Sequence, residues 1–191
     1  MKATALIEQQ HREVEGLFEK IEASKANARL LEQLASALTA HAIIEEQIFY
    51  PAAMKMKKDL VLESYEEHEL MAFALKRLIA TEPRDESFPA RVKAVKEIVE
   101  QHVQEEEQEL LPSAAEGLSE EEDETLGRQM EARFKELVAL GYEGALAARK
   151  GRRATNGHRA KAAGTAKSPG TAKATTTSKK KTTSHAHRRA A

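Results

Sequence analysis

Apolar residues recur in steps of three and four along the N-terminal part of the chain, the rhythm of α-helices that bury one face. The first such stretch, about Thr4–Ser24, sets Leu6, Ile7, His11, Val14, Leu17, Phe18 and Ile21 on one stripe. The second, about Ala28–Met54, aligns Leu31, Leu34, Leu38, His41, Glu45, Ile48 and Phe49. A third, about Asp59–Thr81, turns Leu60, Val61, Tyr65, His68, Ala72, Leu75 and Ile79 inward, with Asp59 as its expected N-cap. The fourth, about Phe88–Leu111, carries Val92, Val95, Ile98, Val99, His102, Glu106 and Leu110. Breaks are expected after Pro51, across Glu82–Ser87 beside Pro83 and Pro89, and at Pro112, which ends the fourth helix. Long helices joined by short links predict an all-α, antiparallel up-down four-helix bundle over residues 1–115.

Residues 116–148 read as a linker and an accessory helix. Ser119 and Glu122 form a capping-box signature. Leu126, Met130, Phe134, Leu137, Val138 and Leu140 then need burial, either on the outside of the bundle or against a second copy of the chain. This helix need not contribute to a site. Beyond it, from Gly151, there is no large aliphatic or aromatic residue, so residues 149–191 are predicted to be a disordered tail.

Charge sharpens that division. The formal net charge is only -1, yet all 31 acids lie at or before Glu143. Residues 1–146 hold 17 Lys+Arg against those 31 acids, a net of -14, while residues 147–191 hold 13 Lys+Arg and no acid. Two different materials are joined end to end. No apolar run is long enough to span a membrane, and the N-terminus lacks the apolar core of a secretory signal, which points to a cytoplasmic protein. Cysteine is absent, which excludes disulfides, thiolate ligands and cysteine nucleophiles.

The chemistry lies in the polar residues on the buried stripes. His11, His41, His68 and His102 fall one per helix, and the other three histidines lie in the tail. Glu45 follows His41 by four residues and Glu106 follows His102 by four, which puts each pair on one face a turn apart. A lone histidine on an apolar face is usually a core residue. Four of them with two buried carboxylates make poor structure without a cation, because a buried ionised carboxylate is costly unless paired or metal-bound. Carboxylates that bridge two ions, with imidazoles at the outer positions, suit iron and, less specifically, manganese or zinc.

Four stretches, HREVEGLF around His11, HAIIEEQIFYP from His41, EEHELM around His68 and HVQEEEQELLP from His102, resemble the hemerythrin family in its HHE cation-binding, or hemerythrin-like, form. The resemblance covers roughly residues 5–115. It implies an oxo- or hydroxo-bridged pair of iron ions, with Glu45 and Glu106 as bridging carboxylates and His11, His41, His68 and His102 as terminal ligands. It also implies a small ligand such as dioxygen, peroxide or nitric oxide. One departure stands out. Oxygen-carrying members have a further histidine one turn before the His68 position, and Ser64 stands there in this chain. Tyr65, Tyr50, Glu46 and Glu105 are the candidate substitutes, unless the position stays open.

The tail resembles the Lys/Ala-rich arms of linker histones and bacterial nucleoid proteins, which hold phosphate backbones without reading bases. With no recognition helix or aromatic set, any DNA binding would be non-specific. The tail can also serve as a solubilising extension or fold back on the acidic bundle. Three functions remain open on the sequence: a di-iron protein acting on small oxidants, an iron-responsive sensor, and a nucleoid-associated metal-binding protein.

Overall fold

Helices form wherever the apolar rhythm runs. The computed structural model describes residues 1–23 and 27–149; the basic extension from residue 150 on lies outside them. Its elements are α1 (Ala3–Ala23), α2 (Ala28–Ile44), α3 (Tyr50–Ala53), α4 (Lys58–Ile79), α5 (Phe88–Glu105), α6 (Leu111–Gly117) and α7 (Glu120–Ala139), with residues 141–149 helical after a break. α1 packs on α2, α2 on α4, α4 on α5 and α5 on α1, which closes an antiparallel four-helix ring. Two apolar clusters fill it. One contains Ile7, Ile43, Ile44, Phe49 and Leu110, the other Phe18, Leu34, Leu38, Leu75 and Val95. The histidine stripes cross the bundle between them.

Helix starts follow local chemistry. Asn27 caps α2, its side-chain oxygen accepting from the Arg29 N–H at 2.9 Å. Ser119 and Glu122 form the expected capping box on α7. Asp59 is not the cap of α4, which is Lys57 with no side-chain bond. Asp59 sits in the first turn instead, where its charge faces the positive end of the helix dipole.

Three further readings are corrected. The inward stripe of α4 is Val61, Ser64, His68, Met71, Leu75 and Leu78; Tyr65, Ala72 and Ile79 are half-buried at its edge. The second and fourth helices also do not run as uninterrupted α-helix. Glu45–Phe49 and Glu106–Leu110 are π-helical, and the Tyr50 N–H bonds the Glu45 carbonyl as the Leu111 N–H bonds that of Glu106. Each π segment precedes a proline, Pro51 or Pro112; the chain stays helical past Pro112 to Gly117, so that proline does not end the fourth helix, whereas the break expected after Pro51 falls after Ala53. The wider turn moves the carbonyl that the proline ring would otherwise strike.

The accessory helix is anchored at both ends. Buried Asp123 of α7 accepts from the Ala3 N–H at 2.9 Å, the Thr4 N–H at 3.3 Å and the Thr4 hydroxyl at 3.1 Å, so α7 supplies the N-terminal cap of α1. Gly127 lets the two backbones touch: a Cβ there would lie 2.1 Å from the Met1 carbonyl oxygen. At the far end Gly141 adopts φ 69°, a left-handed stop that glycine accepts without strain. The Tyr142 N–H then donates to Glu32 of α2 at 2.9 Å, and residues 141–149 run back along α2. Val138 and Leu140, expected to be buried, are exposed.

Asp123→Ala should therefore destabilise the protein by about 1–2 kcal/mol through loss of the α1 cap. Gly127→Ala should cost about 1–3 kcal/mol, because backbone rather than a flexible side chain must move. Urea denaturation of both variants reads these values, and parental stability in either would contradict the anchoring.

Candidate metal centre

The six residues singled out on the stripes meet in one layer. His11, His41, Glu45, His68, His102 and Glu106 are each no more than 4% exposed. The Glu45 Oε2 lies 3.2 Å from His41 Nε2 and 3.4 Å from His68 Nε2. The Glu106 Oε2 lies 3.4 Å from His11 Nε2 and 3.6 Å from His102 Nε2. Each carboxylate thus spans two histidines from different hairpins. Ligand atoms within 4.8 Å of one another form two groups, His11 with His41, Glu45 and Glu106, and Glu45 with His68 and His102. Glu45 belongs to both.

Every imidazole turns its Nε2 inward because something holds its Nδ1. Nδ1 of His11 meets Glu107 at 2.9 Å, that of His41 meets Gln10 at 2.8 Å, that of His68 meets Glu46 at 3.2 Å and that of His102 meets Glu67 at 2.7 Å. An oxygen acceptor keeps the proton on Nδ1 and leaves the Nε2 lone pair facing the layer. The Nε2 atoms of His68 and His102 stand 3.1 Å apart. The Nε2 atoms of His11 and His41, both Glu45 oxygens and Glu106 Oε2 are buried without a hydrogen-bond partner. Electron-pair donors so arranged repel one another unless a cation lies among them, so the residues fit a metal.

The titration behaviour reports the same conflict. Burial, and then the neighbouring Glu106, push the Glu45 carboxyl well above its ordinary range. Burial would also raise Glu106, but His102, His11 and His41 prevail and hold it below. Burial, then His11, pushes His41 well down. Burial would raise Glu46 as well, yet hydrogen bonds from His68 and Arg149 keep it low.

Of the four candidate substitutes at the Ser64 position, Tyr50 is the one inside the layer. Its hydroxyl donates to Glu106 Oε1 at 2.8 Å and lies 3.2 Å from His68 Nε2. Tyr65 instead donates to the Glu46 carbonyl at 3.1 Å, Glu46 is taken by His68 and Arg149, and half-buried Glu105 accepts from Gln101. Nine residues after His41, Tyr50 would lie on the far side of an α-helix turning about 100° per residue. The π turn absorbs one residue and brings it round. Ser64, its hydroxyl bonded to the Leu60 carbonyl at 3.0 Å, leaves room for the ring.

An internal duplication explains the residues holding Nδ1, which the stripes alone do not reveal. HAIIEEQIFYP (His41–Pro51) and HVQEEEQELLP (His102–Pro112) coincide at the histidine, both glutamates, the glutamine and the proline. The second glutamate of each crosses to a histidine of the other half, Glu46 to His68 and Glu107 to His11. The residue before each first-helix histidine stays within its half, Gln10 to His41 and Glu67 to His102. The layer is approached from a cavity of about 280 Å³ between α1 and α5 that touches His11, Val14, Phe18, Val99 and Glu107.

Comparison with known proteins bears on this site. The family model described as Hemerythrin HHE cation binding domain matches residues 2–114. A curated protein of Nostoc sp. described as a DNA nickase is 29% identical over 136 residues, 69% of this chain and 39% of that protein. The chain thus spans well under half of that relative's length. A crystal structure of a hemerythrin HHE cation binding domain-containing protein from Mycobacterium kansasii aligns with a TM-score of 0.64 and 26% identity, over 72% of this chain and 87% of that one. Among the described residues no helix is long and apolar enough to cross a membrane.

A carboxyl raised by burial penalises folding above its ordinary range, and the penalty grows as pH rises toward the raised value. Glu45→Gln removes it. In the presence of chelator this variant should be about 1–3 kcal/mol more stable than the parent at about pH 8, with the gap closing toward about pH 4. With metal added, the parent should gain stability and the variant should gain far less. Denaturation curves at both pH values test this, and a gap that does not change with pH would contradict it.

Proposed function

The chain belongs to the hemerythrin HHE cation-binding family, and on that premise we propose that it is a non-haem di-iron protein that binds or reacts with dioxygen, peroxide or nitric oxide. The observation that carries the proposal is the pair of glutamates, each in reach of histidines from both hairpins. In this reading His11 and His41 would hold one iron and His68 and His102 the other, with Glu45 and Glu106 as carboxylate ligands in reach of both pairs. Tyr50 would be an additional oxygen ligand, beside Ser64.

Iron bound there supplies one-electron chemistry and an open coordination position for a small oxidant. The protein supplies the rest. Gln10, Glu46, Glu67 and Glu107 fix the histidine tautomers. Ile7, Ile44, Phe49 and Leu110, all fully buried, keep the layer dry. A dry pocket slows the proton-assisted loss of a bound oxidant. The cavity between α1 and α5 borders His11 and gives a small ligand a way to the layer.

Protein loaded anaerobically with Fe(II) should hold about two irons per chain. In air it should develop near-ultraviolet oxo-bridge bands and a visible phenolate-to-iron band. Tyr50→Phe should keep its iron and lose the visible band. Iron well below about one per chain, with the helices intact, would overturn the di-iron reading.

A second reading, a nucleoid-associated metal-binding protein, draws on the acid-free segment 147–191 with its 13 Lys+Arg. The resemblance to a protein described as a DNA nickase points the same way. Deleting residues 150–191 should abolish a salt-sensitive, sequence-independent DNA affinity while leaving iron uptake unchanged. Unaltered DNA affinity in the truncated chain would refute this reading.

A further inference from the structure

The two halves of the duplication differ in how their crossing glutamates are balanced. In one, Glu107 on His11 is gripped by Arg12, the residue after His11, at 2.7 Å. The equivalent residue after His68 is Glu69, an acid. Left to the bundle alone, Glu46 on His68 would face a second carboxylate where its counterpart faces an arginine. Arg149 supplies the missing cation from outside the family-matched segment. Its guanidinium donates to Glu69 at 3.0 Å and, through Nε at 3.4 Å and a second short bond, to Glu46. Arg149 is buried, whereas Arg12 is largely exposed. Together with Leu38, Ala42, His68 and Met71 it encloses a void of only about 10 Å³. The turn at Gly141 and the Glu32–Tyr142 bond deliver the helix to this place.

We propose that residues 141–149 are part of the metal centre, with Arg149 a positioning residue that sets Glu46 on His68 and secures the metal held by His68 and His102. The inference rests on the di-iron reading. A guanidinium fork can hold two carboxylates at fixed angles, and an ammonium cannot. With the fork gone, Glu46 and Glu69 repel each other, Glu46 leaves Nδ1, and His68 loses both its orientation and its fixed tautomer. The ion held by His11 and His41 keeps Glu107, Arg12 and Gln10 unchanged.

The test is iron release from the full chain to a ferrous chelator after reduction. The parent should release its iron slowly. Arg149→Met should release about half its iron roughly tenfold faster, the remainder keeping the parental rate. Arg149→Lys should fall between the two. Glu69→Arg placed in the Arg149→Met background recreates the arrangement of Arg12 and should return the fast phase to the parental rate, which a merely structural role for the helix would not predict. Should Arg149→Met fail to fold, Arg149→Lys carries the comparison, because it keeps the charge and loses only the fork. Parental release in the Met variant, or in the Lys variant where that one carries the test, overturns the proposal. Uniform acceleration that Glu69→Arg does not reverse overturns it as well. A parent that takes up no iron overturns the di-iron reading and this inference together, whereas a loaded parent matched by its variant overturns this inference alone.

Discussion

Glu45 lies at the centre of the bundle, out of contact with water and with neither carboxylate oxygen hydrogen-bonded. A charge in that position costs several kcal/mol unless a cation lies against it. Glu106 and four inward-facing Nε2 lone pairs surround it and add donors without adding compensation. The bundle resembles a clamp: the two apolar clusters on either side of the layer supply the folding energy that holds mutually repelling donors together. A metal-binding domain of the hemerythrin HHE type follows from that compromise, since a cation converts the repulsion into ligation.

Duplication gives the clamp its symmetry, and its exceptions give it direction. Both halves place a π turn at the bridging glutamate and send the following glutamate across to the other half. The halves part company where Tyr50 corresponds to Leu111, Ser64 to Ile7 and Glu69 to Arg12. All three differences fall around His68. The surroundings of His68 hold the hydroxyls of Tyr50 and Ser64, whereas Leu111 and Ile7 stand at the corresponding places in the other half, so two ions held there would not be equivalent. The accessory helix adds to the imbalance by placing Arg149 on the polar side.

Much of this was legible in the sequence. The four stripes located the helices, and the placement of His11, His41, His68 and His102 with Glu45 and Glu106 picked out the residues that the fold brings together. What escaped was what a 3.6-residue period cannot express. The π turns hid the inward position of Tyr50, and with it the choice among Tyr65, Tyr50, Glu46 and Glu105. Gln10, Glu67 and Glu107 drew no notice among the polar residues, and Glu46 read as a possible ligand rather than as a partner of His68 Nδ1, although the repeated H-x-x-x-E-E-Q-x-x-x-P pattern did mark Glu46 and Glu107. Asp123 and Arg149 act over separations of more than a hundred residues, and no local pattern encodes such contacts.

The central claim is that two metal ions share Glu45. Crystals of the iron-loaded chain, measured on both sides of the iron absorption edge, test it most directly. Two anomalous peaks are expected, one beside His11 and His41 and the other beside His68 and His102, both in contact with Glu45 and Glu106. A single peak, or peaks away from Glu45, would contradict it.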